Sequence, residues 1–125
     1  MRPYVELPGF EELVLEESYV LGIEAVPGAV TFAVDFVLTP GHPAYAPPPE
    51  DENESYRRGT MRFTGVKRLE WSGQGAPPAT DATGEADYGH IDDLQWDDNR
   101  FELEGDWGRM VLEAERVTPS LDDHE

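Results

Sequence analysis

From residue 19 to residue 38 the chain alternates between two kinds of side chain. Val30, Phe32, Val34, Phe36 and Leu38 share one parity, with Thr31, Ala33, Asp35 and Val37 between them. Successive side chains of an extended strand point to opposite faces, so this run predicts a strand with one dry face. Tyr19, Leu21, Ile23 and Ala25 alternate in the same way with Val20, Gly22, Glu24 and Val26. Pro27-Gly28 separates the two runs, and Pro followed by Gly suits a tight turn. Residues 18–38 are therefore expected to form a β-hairpin.

The same period recurs downstream. Met61, Phe63, Leu69 and Trp71 predict a third strand over residues 59–71, with Gly65 marking a bulge or bend. Ile91–Trp96 and Phe101–Glu104 read as two strands joined by Asp97-Asp98-Asn99-Arg100. Gly105-Asp106-Trp107-Gly108 reads as a four-residue hairpin loop leading to a last strand, Arg109–Val117. That strand has Met110, Leu112 and Ala114 on one face and Glu113 and Glu115 on the other. Pro119 is expected to end it, leaving residues 119–125 as an acidic tail. Near the N-terminus, Phe10, Leu13 and Val14 suit a helical turn, whereas Leu13 and Leu15 suit a strand.

Two stretches lack periodicity, 40–56 and 72–87, and are expected to be mobile loops. With 12 Gly and 11 Pro the chain is too rich in breakers for a helical protein. The expected fold is all-β: one antiparallel sandwich or partly open barrel of about six to eight strands, with at most one short helix. A single domain over residues 1–118 suits the length of 125 residues.

Charge narrows the function classes. Nine Lys+Arg against 27 Asp+Glu leave a net charge of −18. Such a surface repels phosphate backbones and anionic lipid, so neither nucleic acid nor membrane is an expected partner. It steers basic proteins toward itself instead. No charged segment leads into an apolar one at the N-terminus, so a cytoplasmic protein is expected. Cysteine is absent, which excludes disulfides, thiolate metal sites and Cys nucleophiles. Eight of the nine basic residues are Arg, a bias that suits a GC-rich bacterial genome.

Motifs for chemistry are sparse. Asp87, Asp92, Asp93, Asp97 and Asp98 cluster around one short strand, and carboxylates on sandwich loops can hold calcium. Their spacing is not that of a calcium loop, so Asp92, Asp93, Asp97 and Asp98 are metal candidates by residue type only. His42, His90 and His124 form no zinc-type pair. No nucleophile elbow or phosphate-binding glycine loop occurs, so neither a catalytic residue nor a cofactor is expected.

Five basic residues, Arg57, Arg58, Arg62, Lys67 and Arg68, fall in one stretch without an acid. Arg62 and Arg68 share the parity opposite to Met61 and Phe63, so they are expected to face solvent together. They would pair with acids across strands or receive an anionic group. Trp107, in its glycine-flanked loop, either folds back over the sheet or joins Tyr45 and Tyr56 as a partner contact.

The Val30–Leu38 strand, the Met61-Arg62-Phe63-Thr64-Gly65-Val66 run and Gly105-Asp106-Trp107-Gly108 before a final strand resemble small, acidic bacterial β-rich domains. Some of those domains serve as immunity proteins against polymorphic toxins. The resemblance carries over no functional residue. With the charge, it implies a non-enzymatic module that docks on a basic protein. A small-ligand or calcium-binding sandwich is the alternative, and a homodimer through an edge strand is a further expectation.

Overall fold

The computed structural model describes residues 1–50, 54–73, 75, 79–80 and 86–122. Strand β1 (Arg2–Pro3) and a 3-10 turn (Tyr4–Glu6) precede β2 (Leu13–Val26) and β3 (Ala29–Leu38). Next come β4 (Ser55–Thr64), β5 (Arg68–Ser72), and the two-residue strands β6 (Ala79–Thr80) and β7 (Ala86–Asp87). The chain closes with β8 (Ile91–Asp97), β9 (Arg100–Gly105), β10 (Gly108–Glu113) and β11 (Arg116–Leu121). A five-stranded sheet has the order β1-β8-β9-β10-β5, a four-stranded sheet the order β11-β4-β3-β2, and β6 pairs with β7. All pairings are antiparallel. The fold is the expected all-β sandwich. The strands beyond the expected number are two-residue pairings, too short to alternate.

The β2–β3 hairpin turns at Pro27-Gly28, with Val26 paired to Ala29. Gly28 has φ +85°, the left-handed value that a Pro-Gly turn demands at its second position. Between the sheets lie Phe10, Phe32, Phe36, Phe63, Met61 and Met110, all fully buried. Phe63 packs edge-on against Phe32 and against Phe101, at 6.1 and 5.3 Å between centroids.

β2 changes its buried face along its length. Leu13 and Leu15 are buried, then Ser18 and Val20. Its register slips against β3 between Val14 and Tyr19, and again between Val20 and Gly22. An odd number of extra residues flips every following side chain to the other face. Ser18 fills the first gap. Its hydroxyl donates to the Val14 carbonyl at 2.6 Å and accepts the Val37 N–H at 2.9 Å.

Two expected strands each prove to be two. The 59–71 run breaks at Gly65 (φ +64°), so that β4 lies in one sheet and β5 in the other. The 109–117 run breaks after Glu113, with β10 and β11 likewise in different sheets. The bent strands are partners on both sides of the corner, β4 with β11 and β5 with β10. Lys67 N–H donates to Glu113 O, and Glu115 N–H donates to Thr64 O, at 2.8 and 3.0 Å. One folded ribbon therefore belongs to both sheets, the usual way a sandwich turns a corner. Across the molecule, Val20 N–H bonds Gly89 O and Tyr88 N–H bonds Val20 O, both at 2.8 Å.

Pro119 does not end a strand. It lies within β11, opposite Met61. β11 is an edge strand, where the missing N–H of Pro costs no ladder bond. The domain thus extends to Leu121, and residues 123–125 of the expected tail lie outside the described residues. The loop expected over 40–56 ends earlier, because Ser55 and Tyr56 already pair with Leu38 and Val37. Its start is built from turns: His42 N–H bonds Thr39 O, and Tyr45 N–H bonds His42 O, each at 3.0 Å. Residues 51–53, and much of 72–87, lie outside the described residues.

Candidate functional site

The outer face of the five-stranded sheet carries three charged rows. Register places Asp93, Glu104, Arg109 and Ser72 side by side across β8, β9, β10 and β5. The next row reads Gln95, Glu102, Val111, Glu70, and the third Asp97, Arg100, Glu113, Arg68. Their neighbours along the strands, such as Leu94, Phe101, Leu103, Met110 and Leu112, are buried, so these twelve positions point outward. Six of them are acids and three are Arg.

The arginines are already engaged. Glu102 accepts from Arg100 at 3.0 Å and from Arg109 at 2.6 Å. Arg68 reaches Glu70 at 3.2 Å. The Arg100 hydrogen bond, with the Arg100 and Arg109 charges behind it, holds Glu102 below the usual carboxylate range. Asp93, Asp97, Glu104 and Glu113 make no ion pair among the described residues. Asp93 directly opposes Glu104, an arrangement that destabilises a sheet. Val111 at the centre of the face is only 9% exposed, so the surrounding charged side chains cover it. This is an acidic sheet face with unanswered negative charge.

The aspartates read as metal candidates do not converge. Asp93 and Asp97 project from β8 four residues apart, roughly 13 Å at strand rise. Asp92 sits at the bulge between Ile91 and Asp93, and Asp98 in the β8–β9 turn with φ 51°. Among the described residues no three His, Asp or Glu side chains group to hold a metal ion. Asp97 and Asp98 instead line a cleft of about 310 Å³ at the corner, together with Lys67, Arg100, Glu113 and Glu115.

Trp107 is not a surface contact, which corrects that half of the expectation. It is 2% exposed. Gly105 pairs with Gly108, so only Asp106 and Trp107 form the turn, and the indole folds between the sheets. It lies edge-on to Phe32 at 5.2 Å and donates to His90 O at 3.1 Å. Trp71 in turn donates to Trp107 O at 3.1 Å. A Cβ at Gly105 would collide with this indole, which explains the glycine.

Tyr45 is half-buried and packs against the core. Tyr56 is in β4 rather than the loop, on the outer face of the four-stranded sheet. Its ring lies 6.1 Å from that of Tyr19, which is 4.5 Å from His90. Burial, followed by the neighbouring Tyr19, Glu54 and Asp35, pushes the Tyr56 hydroxyl up to about 12. Arg62 and Arg68 do not face solvent together, because the corner at Gly65 places them on different sheets. Arg62 stands between Thr31 and Thr118, beside a cleft of about 440 Å³ over Gly22 and Ala33.

The acidic face was partly visible in the sequence as the Asp92–Asp98 cluster. Glu104 and Glu113 were missed, since only register shows that they lie beside Asp93 and Asp97. Among the described residues no helix is long and apolar enough to cross a membrane. Comparison with protein-family models, curated proteins and solved structures finds no match.

Proposed function

We propose that this protein is a cytoplasmic, non-enzymatic binding module that docks a basic protein on the outer face of its five-stranded sheet. One observation carries the reading: Asp93 faces Glu104 across β8 and β9, and neither has an ion-pair partner among the described residues. A sheet selected for stability alone gains by placing Lys or Arg at one of these positions. A partner's Lys and Arg side chains would supply the missing countercharge. The face is carried by hydrogen-bonded strands of one sheet, and a face ordered before binding lowers the entropy cost of association. The net charge of −18 speeds the encounter at low salt.

The test is capture from a lysate of the source organism at low salt, followed by a salt step and mass spectrometry. One dominant basic protein near equal stoichiometry, released as salt rises, supports the proposal. A set of unrelated proteins, or a partner whose retention ignores salt, contradicts it.

A further inference from the structure

Strand edges offer unpaired backbone groups to other chains, and natural folds blunt them. The two sheets have four edges, β1, β5, β11 and β2. β1 is two residues long. β11 contains Pro119. β2 is bulged twice, and its outer side already bonds residues 88–90. β5 has none of these devices. It holds no Pro, keeps an unbroken register with β10, and pairs with no described residue on its outer side.

Its sequence is complementary to itself. An antiparallel pairing about a two-fold axis at Leu69 sets Arg68 of each copy opposite Glu70 of the other. Opposite charges facing each other across strands stabilise the pair, and symmetry makes the contact twice. Both side chains stand out in solvent, 64% and 61% exposed. On the other side of the strand, Leu69 and Trp71 are half-buried and reach the core from its rim. The axis brings Leu69 against Leu69 of the second copy and Trp71 beside its Lys67, so the open rim is covered. Lys67 and Arg68 bring two of the nine basic residues to this edge.

We propose that β5 is a homodimerisation edge, where two copies join into one ten-stranded sheet. The two acidic faces then form one continuous surface. The pairing itself does not depend on what that surface binds.

Sedimentation equilibrium of the full chain over a wide concentration range tests this. The wild type is expected to approach twice the chain mass of 14.0 kDa. Arg68→Glu alone, or Glu70→Arg alone, places like charges opposite each other twice and is expected to raise the dimer Kd about tenfold or more. The exchange Arg68→Glu with Glu70→Arg restores complementarity and should return Kd to within about threefold of wild type. Circular dichroism checks that each variant is folded. A wild type that stays monomeric, a dimer unmoved by the single reversals, or an exchange as weak as the single variants would overturn the proposal.

Discussion

Asp93 stands directly opposite Glu104 across β8 and β9, carboxylate to carboxylate. Arg109, which follows Glu104 in the same row, turns its guanidinium to Glu102 instead. Like charges in this position cost a sheet stability, so Asp93→Lys should stabilise the fold, by about 0.2–1 kcal/mol at low ionic strength. Thermal denaturation measures this directly. The same variant should weaken capture of the proposed basic partner, the opposite sign expected where a surface trades stability for binding. An unchanged or lower Tm would mean that the pair is not strained.

Trp107 is a core residue that happens to sit in a turn. Trp107→Phe keeps a ring against Phe32 but removes the donor to His90 O, and should cost about 1–2 kcal/mol. Trp107→Ala also leaves a cavity, and should cost about 3–5 kcal/mol. Chemical denaturation of both variants checks the order of the two losses.

Ser18 holds the bulge in β2 with one hydroxyl. Ser18→Ala leaves the buried Val37 N–H without its acceptor, so about 1–3 kcal/mol should be lost. Amide exchange at Val37 should rise more than exchange in the middle of the β3–β4 ladder.

Tyr56 gives an alkaline signature. Its folded pKa lies above that of a free tyrosine, at about 12, with burial as the first cause. The folded state therefore holds the proton more tightly than the unfolded state. The stability this supplies is complete below the unfolded value near 10 and is lost as pH rises toward 12. Burial and the Glu16 hydrogen bond also push the Tyr4 hydroxyl up, further than Tyr56, so spectroscopic titration of phenolate should show two late tyrosines, of which the earlier disappears in Tyr56→Phe, and that variant should lose less stability across the same pH window.

Alternation made strand faces legible, and little beyond them. The β2–β3 hairpin and its Pro27-Gly28 turn follow from parity and turn chemistry. Which sheet a strand joins does not. Phe63 and Leu69 keep one parity through the corner at Gly65, because an even number of steps separates them, so two strands read as one. In β2 the bulges flip the buried face from Leu15 to Ser18 and Val20, and no local residue signals that change. Pro119 misled for a related reason, since Pro ends only those strands that need its N–H. The acidic face depends on register between β8, β9, β10 and β5, a long-range property that no segment carries alone.

The central claim is that one face, and not the overall charge, binds the basic partner. Capture should be compared between Asp93→Lys/Glu104→Lys/Glu113→Lys and a control, Glu6→Lys/Glu11→Lys/Glu24→Lys, which has the same net charge but alters exposed acids elsewhere. The acidic-face reading predicts that the first variant loses the partner while the control retains it at low salt. Equal losses from both variants would show that binding follows net charge alone, and would contradict the claim.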